Sequence, residues 1–342
     1  MSLTQQIYQI IMRRTIFFTL ASAAVLAGTQ QAAAQSNEET VRRINQYGTF
    51  DHWTVREIRE SGIIGGRTKY LYEFFGNPTD TIRYENKKTK AFKGPSDYIW
   101  RTNNVYANVA GVEKCSITDY PEKRGDGYCC RIEVHTEEIK VAGMINMEVV
   151  CQGVMLVGSL PEPIKDTKDP MSKPRYGIPF TGRPKALQFD YKAKVGCEVV
   201  KGTGFGKMKK MGYPDYPECC IILQKRWEDA DGNIHALRVG TGIERITKNV
   251  DQWQNGHRLE VHYGDITGEP FYKDYMKILH GTPQDLWAVN SKGKNVKIIE
   301  EGWAGPNETP DTMIIKFIAS YGEAFYGGVG NTLWIDNVKL IM

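Results

Sequence analysis

Apolar and polar residues alternate without interruption from Leu187 to Val195. Gln, Asp and Lys side chains fill the positions between the apolar ones, which are Leu187, Phe189, Tyr191, Ala193 and Val195. A period of two places all the apolar side chains on one face of an extended strand. The pattern therefore predicts a β-strand with one face buried in a core.

Strand patterns of this kind recur along the chain, separated by Gly, Pro, Asn or Asp residues. The stretches are Tyr47–Trp53 with Phe50 and Trp53 as core anchors, Tyr70–Phe75, Tyr128–His135, Cys219–Trp227, Ile234–Val239, His257–Tyr263, Thr312–Ala319 and Leu333–Ile341. Asp229–Asn233 contains an Asp-Gly turn, which favours a hairpin. Only residues 36–46 have a helix-favouring composition. Roughly a dozen strands and almost no helix predict an all-β sandwich, interpreted as one domain over residues 36–342.

The N-terminal residues have the layout of an export signal. Arg13 and Arg14 precede an apolar run from Ile16 to Ala27, and three alanines at 32–34 provide the small residues that signal peptidase requires. We therefore interpret residues 1–35 as a signal peptide; Met12 is an alternative start. The apolar run is too short to span a bilayer. No cysteine lies directly after it, so we expect no lipid anchor and an exported protein, periplasmic or extracellular, without a transmembrane segment.

The distribution of charge argues against a nucleic-acid partner. The chain has 44 basic and 40 acidic side chains and a formal net charge of +4. The two signs are distributed throughout the sequence, so there is no basic footprint for nucleic acid. We expect no DNA or RNA partner.

Seven cysteines are present, an odd number for a chain that is expected to be exported. Cys129–Cys130 and Cys219–Cys220 are adjacent pairs on predicted strands, so each pair must divide between the two faces of its sheet. No spacing of Cys and His is typical of a zinc site. The sequence does not decide whether Cys115 and Cys129 form a disulfide.

A stiff turn precedes the central strand. Pro179, Gly182 and Pro184 prevent a regular ladder and deliver Phe180 and Arg183 to the strand's entrance. An aromatic ring and a guanidinium held together suit a polar, ring-shaped ligand. The alternative is an arginine that only pairs with a nearby carboxylate, and residue types alone favour that alternative.

Two runs resemble a known family. Residues 178–192 read IPFTGRPKALQFDYK, and residues 320–340 read SYGEAFYGGVGNTLWIDNVKL. They are similar to the signature and to the closing Gly-rich turn and last strand of the "putative carbohydrate metabolism domain" family, secreted and surface proteins of Gram-negative bacteria. The resemblance extends from about Phe50 to the C-terminus. The chain departs from the family in a single Ser320 before Tyr321, where two serines are expected, and in an insert over residues 264–310.

The resemblance implies a jelly-roll whose concave sheet binds sugar. It adds Trp100, which resembles a family Trp that precedes a Ser or Thr and an Asn. A sugar site combines an aromatic platform with directional donors. We therefore predict carbohydrate contacts from five residues: Trp100, Phe180, Arg183, Tyr191 and Lys192. No cofactor is expected. Sugar-binding jelly-rolls often hold a structural calcium where the first and last strands meet, and Asp51 and Asp336 occupy comparable places.

Catalytic signatures are weak in the sequence. A jelly-roll glycosidase typically carries Glu-x-Asp-x-Glu, because a spacing of two puts every acid on one face of the strand. That motif is absent. The sequence does not exclude a catalytic pair of acids from different strands, because it does not show which strands are neighbours. The sequence therefore favours binding over catalysis.

Three functions follow from these observations. The first is an exported carbohydrate-binding protein that takes part in glycan capture or processing, with an oligosaccharide or polysaccharide as ligand and proteins of a glycan-utilisation system as partners. The second is a glycoside hydrolase or lyase that uses carboxylates from separate strands. The third is a structural subunit of a surface assembly. Aromatic residues of the insert suit either a pocket wall or a partner surface.

Overall fold

The computed structural model describes residues 35–74, 80–83, 98–141, 145–166, 168–204, 206–282 and 284–342. The predicted signal peptide lies outside these ranges except for its last residue. A helix spans residues 35–47, where composition predicts one. No helix within the described ranges is both long and apolar enough to cross a membrane.

Most of the remaining regular structure in the described chain is strand. The strands are β1 (Thr54–Arg59), β2 (Thr68–Glu73), β3 (Asp80–Arg83), β4 (Trp100–Thr102), β5 (Val105–Val109), β6 (Val112–Ser116), β7 (Asp119–Arg124), β8 (Gly127–Val141), β9 (Ile145–Gln152), β10 (Val154–Ser159), β11 (Arg175–Tyr176), β12 (Ile178–Pro179), β13 (Ala186–Lys194), β14 (Glu198–Lys201), β15 (Lys209–Pro214), β16 (Glu218–Glu228), β17 (Ile234–Arg245), β18 (Val250–Glu260), β19 (His262–Tyr263), β20 (Trp287–Val289), β21 (Asn295–Trp303), β22 (Thr312–Ile318), β23 (Tyr326–Gly328) and β24 (Thr332–Ile341). Short 3₁₀ helices lie at Gly62–Ile64, Pro170–Ser172 and Asp274–Met276.

Two large sheets form the body of the fold. The larger sheet has ten strands with the central order β11-β10-β22-β16-β17-β21-β20. The six-stranded sheet has the order β18-β13-β24-β8-β7, with β9 paired to β8. Smaller sheets are formed by β2-β1-β3, β15-β14-β23 and β5-β6. The predicted all-β sandwich is confirmed.

The main core lies between the two large sheets. The alternating apolar residues predicted around Leu187 are buried there, and they pack with residues of β16, β22 and β24. Strand β13 is therefore the half-buried strand that its period of two predicts. Its polar positions, including Lys192, point to the opposite face of the six-stranded sheet.

The insert covers the far face of the larger sheet. Within residues 264–310, Leu279, Leu286 and Ile298 form a second core with Cys220 and Ile222 of β16. Strand β16 is therefore buried on both faces, which explains its continuous apolar run. The aromatic side chains of the insert pack mainly onto the protein: Phe271 stacks on His262, and Tyr275 and Trp303 lie against arginines.

The cysteines are all free thiols, so the Cys115–Cys129 disulfide that the sequence left open does not form. Cys115 belongs to a small separate core. Cys129 is buried on the other face of β8 from Cys130, which belongs to the main core. Cys219 and Cys220 divide in the same way between the two cores of the larger sheet. The predicted splitting of both adjacent pairs is confirmed.

The prediction of a first strand at Tyr47–Trp53 is wrong, although both core anchors are correct. Phe50 and Trp53 are buried in the main core. Phe50 has a φ of 49°, in the left-handed region, so the chain turns at this residue. The first strand begins only at Thr54. Aromatic residues anchored from a turn imitate the alternation of a strand.

Candidate functional site

The five predicted sugar-contacting residues do not form one site. Trp100 is fully buried, with its ring 5.4 Å from that of Phe50 and 6.4 Å from that of Phe317. Phe180 is also buried in the main core. Tyr191 faces the same core beside Phe189. These three side chains do not line a shared surface pocket, because their apolar ring faces, which a sugar would contact, are packed against other core residues.

Arg183 binds to the protein itself. Its guanidinium stacks on the ring of Tyr263 at 3.8 Å and donates hydrogen bonds to the backbone carbonyls of Glu308 and Pro306. Arg183 therefore ties the turn before β13 to the end of the insert. This arrangement matches the structural alternative for the turn, with backbone carbonyls in place of the expected carboxylate.

Lys192 lies on the outer face of the six-stranded sheet, away from the core. It stands opposite Trp334 of β24, Trp334 stands opposite Arg131 of β8, and Arg131 stands opposite Tyr120 of β7. Trp253 of β18 lies on the other side of Lys192. The aromatic–cationic row, as we call Trp253, Lys192, Trp334, Arg131 and Tyr120, takes one residue from each of five neighbouring strands.

Aromatic rings and cations alternate along the aromatic–cationic row. Lys192 Nζ is 5.4 Å from the ring centroid of Trp253 and 4.7 Å from that of Trp334. The guanidinium of Arg131 lies 4.5 Å from the centroid of Tyr120. All five side chains are half-buried, so each keeps accessible surface on the outer face. Large aromatic side chains exposed in a group on a sheet face are typical of an interaction surface.

Two carboxylates fix the orientation of the row. Trp334 Nε1 donates a hydrogen bond of 2.8 Å to Glu122, and Arg131 forms ion pairs with Glu122 and Glu133. Burial and the neighbouring Glu133 raise the pKa of Tyr120, so its hydroxyl is protonated at neutral pH. The row therefore presents rings, N–H donors, a hydroxyl and carboxylate acceptors on one surface.

Arg124 holds two aspartates, Asp190 and Asp336, at one side of this surface, and we call these three residues the clamp. Asp190 of β13 and Asp336 of β24 stand directly opposite each other, an unfavourable pairing of like charges. Arg124, at the tip of the β7–β8 hairpin, bonds to Asp336 at 2.6 Å and to Asp190 at 2.8 Å. Its guanidinium also stacks 3.8 Å above the ring of Trp253. The clamp therefore connects the hairpin tip to the end of the aromatic–cationic row.

The two clamp carboxyls differ in pKa. Burial opposes ionisation of Asp190, but hydrogen bonds from Asn337, Gly256 and Arg124 outweigh it and lower the pKa of Asp190. Burial dominates at Asp336 and raises its pKa from 3.8 to about 6, against the opposing effect of Arg124. Asp190 is therefore the firmly ionised partner, and Asp336 titrates in mildly acidic solution.

The pair proposed for calcium, Asp51 and Asp336, lines one cavity of about 520 Å³. Asp51 accepts a hydrogen bond from the backbone amide of Tyr128, and Asp336 is ion-paired with Arg124. A guanidinium at this position supplies the positive charge that a cation would bring. Among the described residues, no group of three or more His, Cys, Asp or Glu side chains is arranged to hold a metal. The residues present therefore do not fit a calcium site.

Sequence reasoning named only Lys192 of the row and missed Trp253, Trp334, Arg131 and Tyr120. One signal was available. Leu333 and Ile335 are core residues, so Trp334 between them must point outward, and a Trp at an outward position is unusual. Alternation along Tyr128–His135 likewise places Arg131 opposite the core residues Cys130 and Ile132, but its neighbours on the adjacent strands cannot be seen in the sequence.

Comparisons with known proteins give distant matches only. No protein-family model matches the chain, and no curated protein matches it. A putative glycoside hydrolase from Bacteroides thetaiotaomicron VPI-5482 has a similar structure, with 19% identity and a TM-score of 0.43 over 84% of this chain and 70% of that chain. A second, from Bacteroides vulgatus ATCC 8482, has 16% identity and a TM-score of 0.39 over 66% and 77%.

Proposed function

We propose that this protein is an exported carbohydrate-binding protein that captures glycans on the outer face of its six-stranded sheet. The observation that carries the proposal is the aromatic–cationic row, in which two Trp rings, a Tyr, a Lys and an Arg lie side by side on accessible strands. The runs at residues 178–192 and 320–340, which resemble a carbohydrate-associated family, favour the same class of ligand. The export signal in residues 1–35 favours encounter with it outside the cytoplasm.

The chemistry of the row suits a sugar. Pyranose rings present apolar C–H faces and a rim of hydroxyl groups, so they stack on aromatic rings and hydrogen-bond to charged side chains. Trp334 and Trp253 supply the aromatic platforms, while Lys192 and Arg131 supply donors to the hydroxyls. Lys192 must swing away from Trp334 to free that ring, and an exposed cation–π contact costs only about 0.5–1 kcal/mol to break.

The row is open and shallow, so we expect modest affinity. A single site of this kind binds between millimolar and micromolar, or about −4 to −8 kcal/mol. Successive sugar units spread over five strands would contact successive side chains of the row. We therefore expect oligosaccharides to bind more tightly than the corresponding monosaccharides.

A glycan panel tests the proposal, with binding measured by titration calorimetry and released reducing ends measured in parallel. Trp334→Ala should weaken binding of any glycan found by about tenfold or more, because it removes the central platform. Trp227→Ala is the matched control: Trp227 is 41% exposed, stacks on His235 and belongs to the other sheet. Equal affinity in wild type and Trp334→Ala would refute the row as the binding surface. Absence of any glycan ligand would favour the structural-subunit alternative.

A further inference from the structure

A second cavity, away from the aromatic–cationic row, contains two carboxyl groups. It has a volume of about 370 Å³ and lies between β2, β4, β11 and the segment that follows β10. Four charged side chains line it: Glu73, Glu162, Arg101 and Arg175. A volume in this range is typical of small-molecule sites.

Arg56 holds the two carboxyl groups together from behind the cavity. Its two terminal nitrogens bond to Glu73 at 3.1 Å and to Glu162 at 2.8 Å, and all three side chains are almost completely buried. Because the guanidinium is a rigid planar fork, the two carboxyl oxygens that it holds are no more than about 8 Å apart. Hydrolysis by direct attack of water requires paired acids roughly 6.5 to 9.5 Å apart, and a separation of up to about 8 Å allows this.

The two carboxyl groups have different surroundings. Burial and the nearby Glu162 raise the pKa of Glu73 to about 8, against the opposing effect of Arg56. Glu162 receives a hydrogen bond of 2.8 Å from the Tyr106 amide in addition to the Arg56 ion pair. Both of these contacts stabilise a carboxylate anion. The Glu73 carboxyl group is therefore protonated near neutral pH, as a general acid must be, and Glu162 lies beside it on the same guanidinium.

Two further arginines line the cavity. Arg101 donates to the Trp100 carbonyl, and burial lowers the pKa of its guanidinium. Arg175 is exposed at the cavity. Within the described part of the chain, neither forms an ion pair of its own. With Arg56 neutralised by Glu162, the cavity is cationic and favours a ligand that carries a negative charge.

We propose that this cavity is a hydrolytic site for glycosides of uronic acids, in which Glu73 is the general acid and Glu162 the general base. Glu73 donates its proton to the leaving glycosidic oxygen as the bond from that oxygen to the anomeric carbon breaks. A water molecule attacks the anomeric carbon, and Glu162 accepts the proton that the water loses. The products are the free uronic acid and the alcohol. Exchange with solvent returns a proton to Glu73 and removes one from Glu162.

Arg101 and Arg175 bind the uronate carboxylate in this scheme. The choice of a sugar as substrate rests on the proposed carbohydrate function, whereas the acid–base pair and the cationic lining are independent of the row. Glu73 lies on β2, and Glu162 follows β10, so no motif with a spacing of two could have revealed the pair. It is a concrete form of the alternative in which acids come from separate strands.

Small chromogenic substrates provide the test. The purified protein is incubated with para-nitrophenyl glucuronides and galacturonides of both anomeric forms, with the corresponding neutral glucosides and galactosides, and with methyl glycosides of the same uronic acids. We expect turnover of at least one uronide, with kcat/KM at least about tenfold above that of its neutral counterpart. Activity should fall above about pH 8 as Glu73 ionises. Failure to hydrolyse any uronide would overturn the proposal.

Leaving-group dependence identifies the acid. A nitrophenolate leaves without protonation, whereas methanol does not, so Glu73→Gln should reduce turnover of the methyl uronide about 100-fold to 10,000-fold and spare the nitrophenyl uronide. Glu162→Gln should reduce both. Glu260→Gln is the matched control, because Glu260 is exposed on β18. Equal activity of wild type, Glu73→Gln and Glu162→Gln would also overturn the proposal.

Either glutamate variant could fail to fold, because each leaves Arg56 less neutralised. Arg175→Ala avoids this difficulty, since Arg175 is exposed and forms no ion pair with any residue that the structure describes. It should raise KM for the uronide at least about tenfold while leaving kcat and the activity on neutral glycosides nearly unchanged. An unchanged KM would exclude uronate recognition by this cavity.

The two proposals fail separately. Trp334→Ala should weaken oligosaccharide capture about tenfold or more but leave hydrolysis of small nitrophenyl uronides intact. Hydrolysis without any glycan capture by the row would refute the proposed function alone. Glycan capture that depends on Trp334, without hydrolysis of any uronide, would refute the acid–base cavity alone.

Discussion

Lys192 and Trp334 stand directly opposite each other on β13 and β24, and Lys192 Nζ lies 4.7 Å from the centroid of the Trp334 ring. Both residues occupy the outward positions of strands whose inward positions form the main core. Their contact joins the two central strands of the aromatic–cationic row. The contact also covers the ring that the proposed function assigns to the ligand. In that function, the Lys192 side chain moves away from the Trp334 ring when a sugar binds.

Lys192→Ala tests the part of Lys192 in ligand binding. Loss of the ammonium removes a charged donor to sugar hydroxyls, so glycan affinity should weaken by about 1.5–3 kcal/mol, the range for hydrogen bonds to charged groups. Folding stability should fall by no more than about 1 kcal/mol, because an exposed cation–π contact is worth little. Titration calorimetry and urea denaturation measure the two quantities. Unchanged or tighter binding would mean that Lys192 only obstructs the platform.

Arg183→Ala should destabilise the protein and leave glycan affinity unchanged. The substitution removes the stack on Tyr263 and two hydrogen bonds to the insert, so we expect a loss of about 1.5–3 kcal/mol in the free energy of unfolding. Arg258→Ala, at an exposed ion pair with Glu260, should change stability by no more than about 0.5 kcal/mol. A stable Arg183→Ala protein with weakened binding would restore Arg183 to the ligand site.

Local signals in the sequence predicted the main strands correctly. Strand β13 follows from strict alternation, and the hairpin of β16 and β17 follows from its Asp-Gly turn. Both patterns depend on neighbours along the chain, so they need no knowledge of the tertiary fold. Phe50 failed as part of a strand because a buried aromatic can be held by a turn as well as by a strand.

The candidate site could be predicted only in part, because it depends on which strands are neighbours. Lys192 meets Trp253 and Trp334 only because β18 and β24 flank β13 in the sheet. Nothing local in the sequence specifies that order. The family resemblance indicates Trp100 and the stiff turn before β13 indicates Phe180, but an aromatic ring suits a core as well as a sugar, and residue type does not separate the two.

Asp336 should make stability depend on pH in mildly acidic solution. Its pKa is about 6 in the folded protein and 3.8 ordinarily, so between these values the folded state binds more protons than the unfolded state. The contribution of Asp336 is therefore fully present below about pH 4 and is lost as pH rises through 6. Urea denaturation from pH 3.5 to 7.5 should show wild type losing stability relative to Asp336→Asn as pH rises.

Burial raises the pKa of Asp336, and the charged groups that face this residue modify the effect. Arg124 favours its ionisation and Asp51 opposes it, whereas Asp190 has a lowered pKa and titrates in more acidic solution. The comparison with Asp336→Asn isolates the group that titrates near 6, because Asp190 remains in both proteins. Two pH–stability curves that run parallel between pH 4 and 6 would contradict the assignment.

A buried ion pair joins the larger sheet to the insert. Arg238 of β17 and Glu300 of β21 are almost completely buried, and the Arg238 guanidinium donates two hydrogen bonds to the Glu300 carboxylate. Gln224 and the Leu279 amide donate to the same carboxylate. Burial opposes ionisation of Glu300, but Arg238 and these donors outweigh it and lower the Glu300 pKa. The carboxylate is therefore held ionised and fully hydrogen-bonded inside the protein.

Glu300→Gln should be among the most destabilising single substitutions in the chain. It leaves the Arg238 charge buried without its counter-ion, and breaking a buried pair in this way costs about 3–5 kcal/mol. Replacing both members, as Arg238→Met with Glu300→Leu, leaves no buried charge without a counter-ion. The double variant should therefore be more stable than Glu300→Gln. Guanidinium denaturation of the three proteins measures both differences. If the double variant were the least stable, the pair would contribute more than it costs to bury, and the insert would depend on it for its position on the larger sheet.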